Sequence, residues 1–462
     1  MRVLPGVRFT GIADKGMAVG RTAEGEVVFA EGPAPGDVAD VQVLRKRKGV
    51  WQGRVLAYHR FSADRVTPAC AHFGACGGCK WQHLSYAAQL KHKEDQVRQA
   101  LVRIGKVDAS VLEPIVGSAQ PFEYRNKLEF SFGTRRWLTT AEIAAGQSNE
   151  ARVLGFHKAG AFDKLIDIRH CLLQPSPSNE LREGIRRIAE EMNLAYYDNR
   201  THTGFLRQMV IRTARTGQTM LIMGFGRDEP ALIASFLDEV ADAFPGLTTI
   251  IYAVNTKRND YLFDLEMKTF SGPGYIEERL GDLVFKIGPK SFFQTHTRQA
   301  EELYGIAREF AGLTGEETVY DLYTGTGSIA LYLARDAGRV VGIETIEAAI
   351  ADARENAIRN GIENVRFYAG DVRDVLTPAF AGEHGRPDVL VTDPPRSGMH
   401  PDVVDFLLRL EAPRIVYVSC NPATQARDIA LLSSKYDLVR ARPVDMFPHT
   451  HHVENVALLE IN

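Results

Sequence analysis

The sequence predicts an α/β chain in three parts: a small β-barrel over 1–59, a central α+β domain over 60–285 and a mostly parallel, helix-covered sheet over 286–462. Three observations predict it. Short alternating runs broken by glycine open the chain, strand-like and helical stretches mix through the middle, and strands and helices alternate regularly from about residue 296. A length of 462 residues suits several domains, and 45% hydrophobic with 24% charged residues are ordinary globular values. No run of 18 or more apolar residues and no basic start followed by an apolar stretch is present, so a cytoplasmic protein is expected.

In the first part, Gly20, Gly25, Gly32 and Gly36 separate strand-like runs such as Glu26–Phe29 and Val38–Leu44, the pattern of an OB-like barrel. The net charge of −3 hides an asymmetry. Residues 1–110 hold 17 Lys+Arg against 10 Asp+Glu, and the remainder 38 against 48. The cluster Arg45-Lys46-Arg47-Lys48 with Trp51 and Arg54 combines cations with an aromatic, which suits phosphate contact and base stacking; a solvated hairpin tip is the alternative. The segment resembles a TRAM domain, an RNA-binding module. A helix is expected over Ala87–Arg103.

Strands are expected in the middle part at Leu128–Phe132, Gln208–Arg212, Thr219–Gly224 and Thr248–Val254, with helices at 178–193 and 229–243. Later strands are expected at Glu317–Leu322, Arg339–Ile343, Val365–Tyr368, Asp388–Thr392 and Arg414–Ser419. Ligands on such sheets gather at the carboxyl ends of the strands. There the sequence places Gly325 and Gly327 in a strand-to-helix turn, and Glu344 ends the next strand, suited to accept ribose hydroxyls. A dinucleotide is one reading, since Ala330 can replace a third glycine. Asp321, Asp371 in Ala369-Gly-Asp-Val and Asp393 in Val391-Thr-Asp-Pro-Pro-Arg396 favour a cofactor without phosphate. The set resembles the class I S-adenosylmethionine-dependent methyltransferases, which implies a Rossmann-like sheet of seven strands.

Cys420 follows an apolar strand in Ile415-Val-Tyr-Val-Ser-Cys-Asn-Pro and is expected to emerge at the strand end. With Asp393-Pro-Pro-Arg-Ser-Gly398, Ser419-Cys-Asn-Pro-Ala-Thr424, Ser291-Phe-Phe-Gln294 and Phe447-Pro-His-Thr-His-His-Val-Glu454, the whole chain resembles the RNA uracil-5-methyltransferase family. That resemblance implies Cys420 as the nucleophile on carbon 6 of uracil, Glu454 as the base removing the carbon 5 proton and Asp393 in contact with the target base. It implies cofactor contacts from Gln294, Tyr323, Ser328, Glu344, Asp371 and Asp393. The chemistry is coherent: carbon 5 becomes nucleophilic only after covalent attack at carbon 6. The family turn usually reads Asp-Leu-Phe-Cys-Gly where this chain has Asp321-Leu-Tyr-Thr-Gly, and Thr295-His296 stands where Val-Asn is usual.

Cys70, Cys76, Cys79 and the distant Cys171 are suited to a metal site, zinc or an iron–sulfur cluster by spacing alone. The resemblance favours a [4Fe–4S] cluster and, with the barrel, the 23S rRNA enzymes acting on a looped, flipped-out uridine rather than the tRNA enzymes. An exocyclic-amine methyltransferase, which needs no Cys420, and a non-catalytic or redox-sensing RNA-binding protein are the rival functions. Gly224-Phe-Gly226 reads as a turn, and His449, His451 and His452 lack zinc-protease spacing. Tyr124–Lys127 and Thr203–Arg207 resemble segments that border the RNA cleft.

Overall fold

A computed structural model describes residues 2–462. Strands β1 (Val3–Ile12), β2 (Ala18–Arg21), β3 (Val27–Ala30), β4 (Val38–Arg47) and β5 (Val50–Arg60) close into a barrel in the order β1-β2-β3-β5-β4. The alternation seen in sequence does this: Leu4, Val7, Phe9, Val28 and Val41 point inward, and in β1 the flanking Val3, Pro5, Arg8 and Thr10 face water. Outside, Arg2 and Lys46 lie over the Trp51 ring at 4.4 and 4.3 Å, while Arg45 donates to Gln52 and Arg54 to Gln42. The indole expected to stack on a base therefore already carries two cations.

Helix α1 (Tyr86–Ala100), capped by Ser85 Oγ on the Ala88 N–H, follows the cysteine loop. The middle sheet is then built from β6 (Lys127–Arg135), the short α2 (Thr140–Ala144), β7 (Glu150–Lys158), β8 (Ala161–Asp167), α3 (Ser178–Glu191), β9 (Leu206–Thr213), β10 (Thr219–Phe225), α4 (Pro230–Ala243), β11 (Thr249–Val254) and β12 (Lys268–Ser271). Its strand order is β12-β11-β10-β9-β6-β7-β8. Strands β9 and β10 are buried along their whole length because both faces are covered. Leu181 and Ile185 of α3 and Phe236 and Leu237 of α4 pack on one face. On the other, Val210, Met220 and Ile222 share a core with the hairpin β13 (Ile276–Leu280) and β14 (Leu283–Ile287) and with α5 (Thr297–Ala311).

The rest alternates as expected: β15 (Thr318–Leu322), α6 (Ser328–Ala334), β16 (Arg339–Glu344), α7 (Glu347–Arg359), β17 (Val365–Ala369), α8 (Val372–Val375), α9 (Pro378–His384), β18 (Val389–Thr392), α10 (Pro401–Leu410), β19 (Arg414–Ser419), α11 (Pro422–Leu432), β20 (Tyr436–Val444) and β21 (Glu454–Ile461). The sheet has seven strands in the order β17-β16-β15-β18-β19-β21-β20, with β21 inserted antiparallel beside β19. Helix α1 packs here and not on the middle sheet: its Val97 and Ala100, with Leu101 just past its end, are buried with Ala426, Ile429 and Leu432 of α11. A segment within the span expected for the middle domain thus covers the methyltransferase-like sheet.

Candidate active site

Strand β15 ends in a turn whose backbone is left-handed at Tyr323, Gly325 and Gly327, with φ of 63°, 55° and 78°. Gly327 opens α6, and a Cβ there would lie 2.9 Å from Phe367 and 3.0 Å from Ala353, so the turn needs glycine for space as well as for φ. Gly327→Val is expected to weaken cofactor binding and lower the melting temperature together, measurable by calorimetry and thermal denaturation. Glu344 receives the Gly325 N–H at 3.1 Å and the Ile346 N–H at 2.9 Å. Asp371 caps α8 and is gripped by the Arg373 guanidinium at 3.0 and 2.7 Å, which holds its carboxyl down at about 2.

Behind this turn, Asp321 is buried, and one of its carboxylate oxygens has no hydrogen-bond partner. Burial raises it to about 7. Sequence reasoning passed over Tyr304, whose helical spacing in α5 reads as ordinary core. Its hydroxyl meets Ser328 Oγ at 2.9 Å, and Ser328 is one of the expected cofactor residues.

Cys420 stands one residue past β19 and is partly exposed. Two motifs meet around it. Asn421 and Thr424 donate to the Arg396 carbonyl at 2.9 and 3.2 Å, which ties the Ser-Cys-Asn-Pro turn to the Asp-Pro-Pro-Arg turn after β18. Strand β21 pairs with β19 so that Ser419 faces Asn455, which brings Glu454 beside Cys420. Electrostatics confirm the proximity. Burial, then Glu454 and Asp393, push the Cys420 thiol up to about 11, with Arg396 opposing. Burial and Asp393 raise Glu454 to about 8, and burial with Asp321 raises Asp393 to about 7. Burial thus shifts all three groups toward their protonated forms, and Arg396 is the nearby cation.

A cavity of about 350 Å³ opens next to Arg396 and is lined by Gly77, Gly78, Arg125, Phe292 and Gln294. Phe292 is 68% exposed there. His452 also lines it, and burial, then Arg396, lower His452 to about 4. His449 is stacked on Phe122 at 4.2 Å and held by Gln89, so this histidine is a packed one. Arg125 lines this cavity, whereas Tyr124 is buried and its hydroxyl donates to the Pro448 carbonyl at 3.1 Å. Arg207 instead points inward and binds the carbonyls of Asn255, Lys257 and Asn259.

Cys70, Cys76, Cys79 and Cys171 line a second cavity, of about 330 Å³, with Arg125 on its wall. Burial raises Cys76 to about 11 and Cys79 to about 12, and the neighbouring cysteines add to both. Cys171 comes from a remote segment and is gripped through its backbone by Asn179, which accepts its N–H at 2.8 Å and donates to its carbonyl at 3.0 Å. Among the described residues no group of three or more His, Cys, Asp or Glu side chains converges on a single ion-sized point. The four cysteines share the lining of that one cavity. Thiols this reluctant to ionise would be ionised by a metal cation bound among them, and this holds for zinc and for an iron–sulfur group alike.

Comparison with known proteins agrees with this geometry. Residues 272–462 match the tRNA (uracil-5-)-methyltransferase family model, and residues 6–56 match the TRAM domain. An uncharacterized RNA methyltransferase of Porphyromonas gingivalis is 51% identical over 99% of this chain and 100% of its own length. One from Bacteroides thetaiotaomicron is 49% identical over 97% and 100%. The crystal structure of the Pyrococcus abyssi tRNA (uracil-54, C5)-methyltransferase with S-adenosyl-L-homocysteine superposes with a TM-score of 0.76 at 30% identity, covering 98% of this chain and 99% of that one. The chain belongs to the RNA uracil-5-methyltransferase family, with a TRAM barrel ahead of an S-adenosylmethionine-dependent methyltransferase fold.

Proposed function

We propose that the protein methylates carbon 5 of a uridine in RNA through a covalent bond between Cys420 and carbon 6. The observation that carries this is the meeting of Cys420, Asp393 and Glu454 at three neighbouring strand ends, under one shared electrostatic field beside Arg396. Gln294, Tyr323, Ser328, Glu344, Asp371 and Asp393 would hold S-adenosylmethionine, which supplies an electrophilic methyl group. The flipped uracil enters past Phe292, whose exposed ring offers a stacking face. The Cys420 thiol first loses its proton to water, its sulfur then adds to carbon 6, and the ring's electron pair moves to carbon 5. Asp393 bonds the uracil edge. After methyl transfer, the Glu454 carboxylate takes the carbon 5 proton, the double bond re-forms and the thiolate leaves. A carboxyl group raised to about 8 suits that task near neutrality, since it both accepts and returns a proton there.

The target we favour is a looped uridine of 23S rRNA, on the combination of the barrel with the four cysteines. The tRNA reading is favoured by the likeness to the Pyrococcus abyssi enzyme. Nucleoside mass spectrometry of rRNA and tRNA from cells with and without the gene decides. Loss of 5-methyluridine from 23S rRNA is the expected result; loss from tRNA alone moves the substrate. Loss of an N-methylated base instead overturns the reaction class. No helix among the described residues is long and apolar enough to cross a membrane, and work on cytoplasmic RNA fits that.

We also propose that Cys70, Cys76, Cys79 and Cys171 hold a [4Fe–4S] cluster with a structural role, pinning the loop before α1 to the middle sheet. Protein purified without oxygen is expected to contain iron and acid-labile sulfide with broad visible absorption, and Cys171→Ser to lose all three. Stoichiometric zinc would contradict the assignment.

A further inference from the structure

Glu454 opens β21, and β20 ends at Val444, its partner in the hairpin. The loop from 445 to 453 therefore sets where the Glu454 carboxylate stands. Every carbonyl from Phe447 to His449 in it is captured from outside. Lys93 Nζ donates to Phe447 O at 3.0 Å, Tyr124 OH to Pro448 O at 3.1 Å, and the Lys80 and Trp81 N–H groups to His449 O at 2.8 and 2.9 Å. Lys93 also forms an ion pair with Asp445 at 2.5 Å, and neither side chain is exposed. Tyr86 OH donates to the other Asp445 oxygen at 2.9 Å. Gln89, buried as well, accepts the His449 N–H at 2.8 Å. His449 itself sits at φ 66°, a left-handed backbone that a non-glycine residue keeps only when its surroundings impose it.

A buried ion pair is a poor way to gain stability, because apolar residues of similar size do as well, but it defines one geometry. Here the geometry being defined is that of the loop that delivers the base. We propose that Lys93 and Gln89 of α1 are positioning residues for the proton-abstraction step, holding the 445–453 loop so that Glu454 reaches carbon 5. This rests on the assignment of Glu454 as the base. Neither residue touches substrate or cofactor, and each acts through the loop.

The full chain is tested on transcribed, unmodified 23S rRNA and, in parallel, on transcribed tRNA, each with S-adenosylmethionine, quenched in denaturant and resolved by electrophoresis. If the base is displaced, addition and methyl transfer proceed but release is slow, so methylated RNA stays bound to protein. Glu454→Gln is the control for the base itself. Lys93→Met and Gln89→Met are expected to slow release about 100-fold, the scale of a displacement near 1 Å, and to accumulate the covalent species. Their rate of adduct formation with RNA containing 5-fluorouridine stays at the wild-type value. Gln89→Met leaves no unpaired buried charge and keeps the test valid if Lys93→Met does not fold. If Glu454→Gln accumulates the adduct and Gln89→Met does not, the positioning role is wrong. If adduct formation and release fall together in Gln89→Met, its role is structural only, and the proposal fails. If Glu454→Gln itself accumulates nothing, the base assignment fails first.

Discussion

Cys420→Ala is expected to abolish methyl transfer, by on the order of 10⁶-fold, the scale reached when the nucleophile of a covalent catalyst is removed. The loss should fall on chemistry alone. Cys420 is partly exposed at a strand end, and the turn around it is held by Asn421 and Thr424 on the Arg396 carbonyl, contacts that the substitution leaves in place. The cofactor turn lies on β15, two strands away across β18. Binding of S-adenosylmethionine, followed by calorimetry, should therefore match the wild type, and so should the melting temperature. Because burial, Glu454 and Asp393 together hold the thiol up at about 11, the wild-type addition rate should rise with pH across the neutral range. A rate independent of pH, or residual turnover in Cys420→Ala, would place the chemistry elsewhere.

Glu454→Gln carries the second large effect, a fall in turnover of about 10²–10⁴-fold, typical for loss of a general base. It separates two steps, since the thiol still adds and the methyl group still moves. The same substitution should stabilise the unliganded protein, and only at higher pH. Burial raises the Glu454 carboxyl from 4.5 to about 8, so the folded state holds this proton more tightly than the unfolded chain. Its stabilising contribution is complete below pH 4.5 and is lost as pH rises through about 8. Glutamine never ionises. Denaturant titrations should show wild type and variant close together at pH 5 and separated by on the order of 3–5 kcal/mol at pH 9. The site thus holds a carboxylate where folding alone would not place one, and a functional group is the physical reason for keeping it.

Much of this was legible in the sequence because its causes are local. The β15 turn announces itself through Gly325 and Gly327, the strand-end carboxylates Glu344, Asp371 and Asp393 follow their apolar runs directly, and Cys420 with Asn421-Pro422 marks a strand-to-helix turn. What escaped depends on contacts between distant segments. Lys93 and Asp445 are separated by 352 residues, and a lysine in a helical pattern reads as a solvated position. Tyr304 looks like any core aromatic until its hydroxyl is placed on Ser328 Oγ. Helix α1 has apolar spacing that identifies a helix but not its partner, so its packing on α11 was not visible. For the cluster around Trp51 the sequence leaves RNA contact and a solvated hairpin tip both open, and nothing in it brings Arg2 to the indole.

The central claim is a bond between one sulfur and one ring carbon. RNA bearing 5-fluorouridine, incubated with the protein and S-adenosylmethionine, digested and analysed by mass spectrometry, tests it most directly, because fluorine cannot leave carbon 5 as a proton. A nucleotide carrying both fluorine and a new methyl group, attached to the peptide that contains Cys420, is the result the account predicts. Efficient methylation of ordinary RNA by a protein that yields no such peptide, or attachment at a different cysteine, would contradict it.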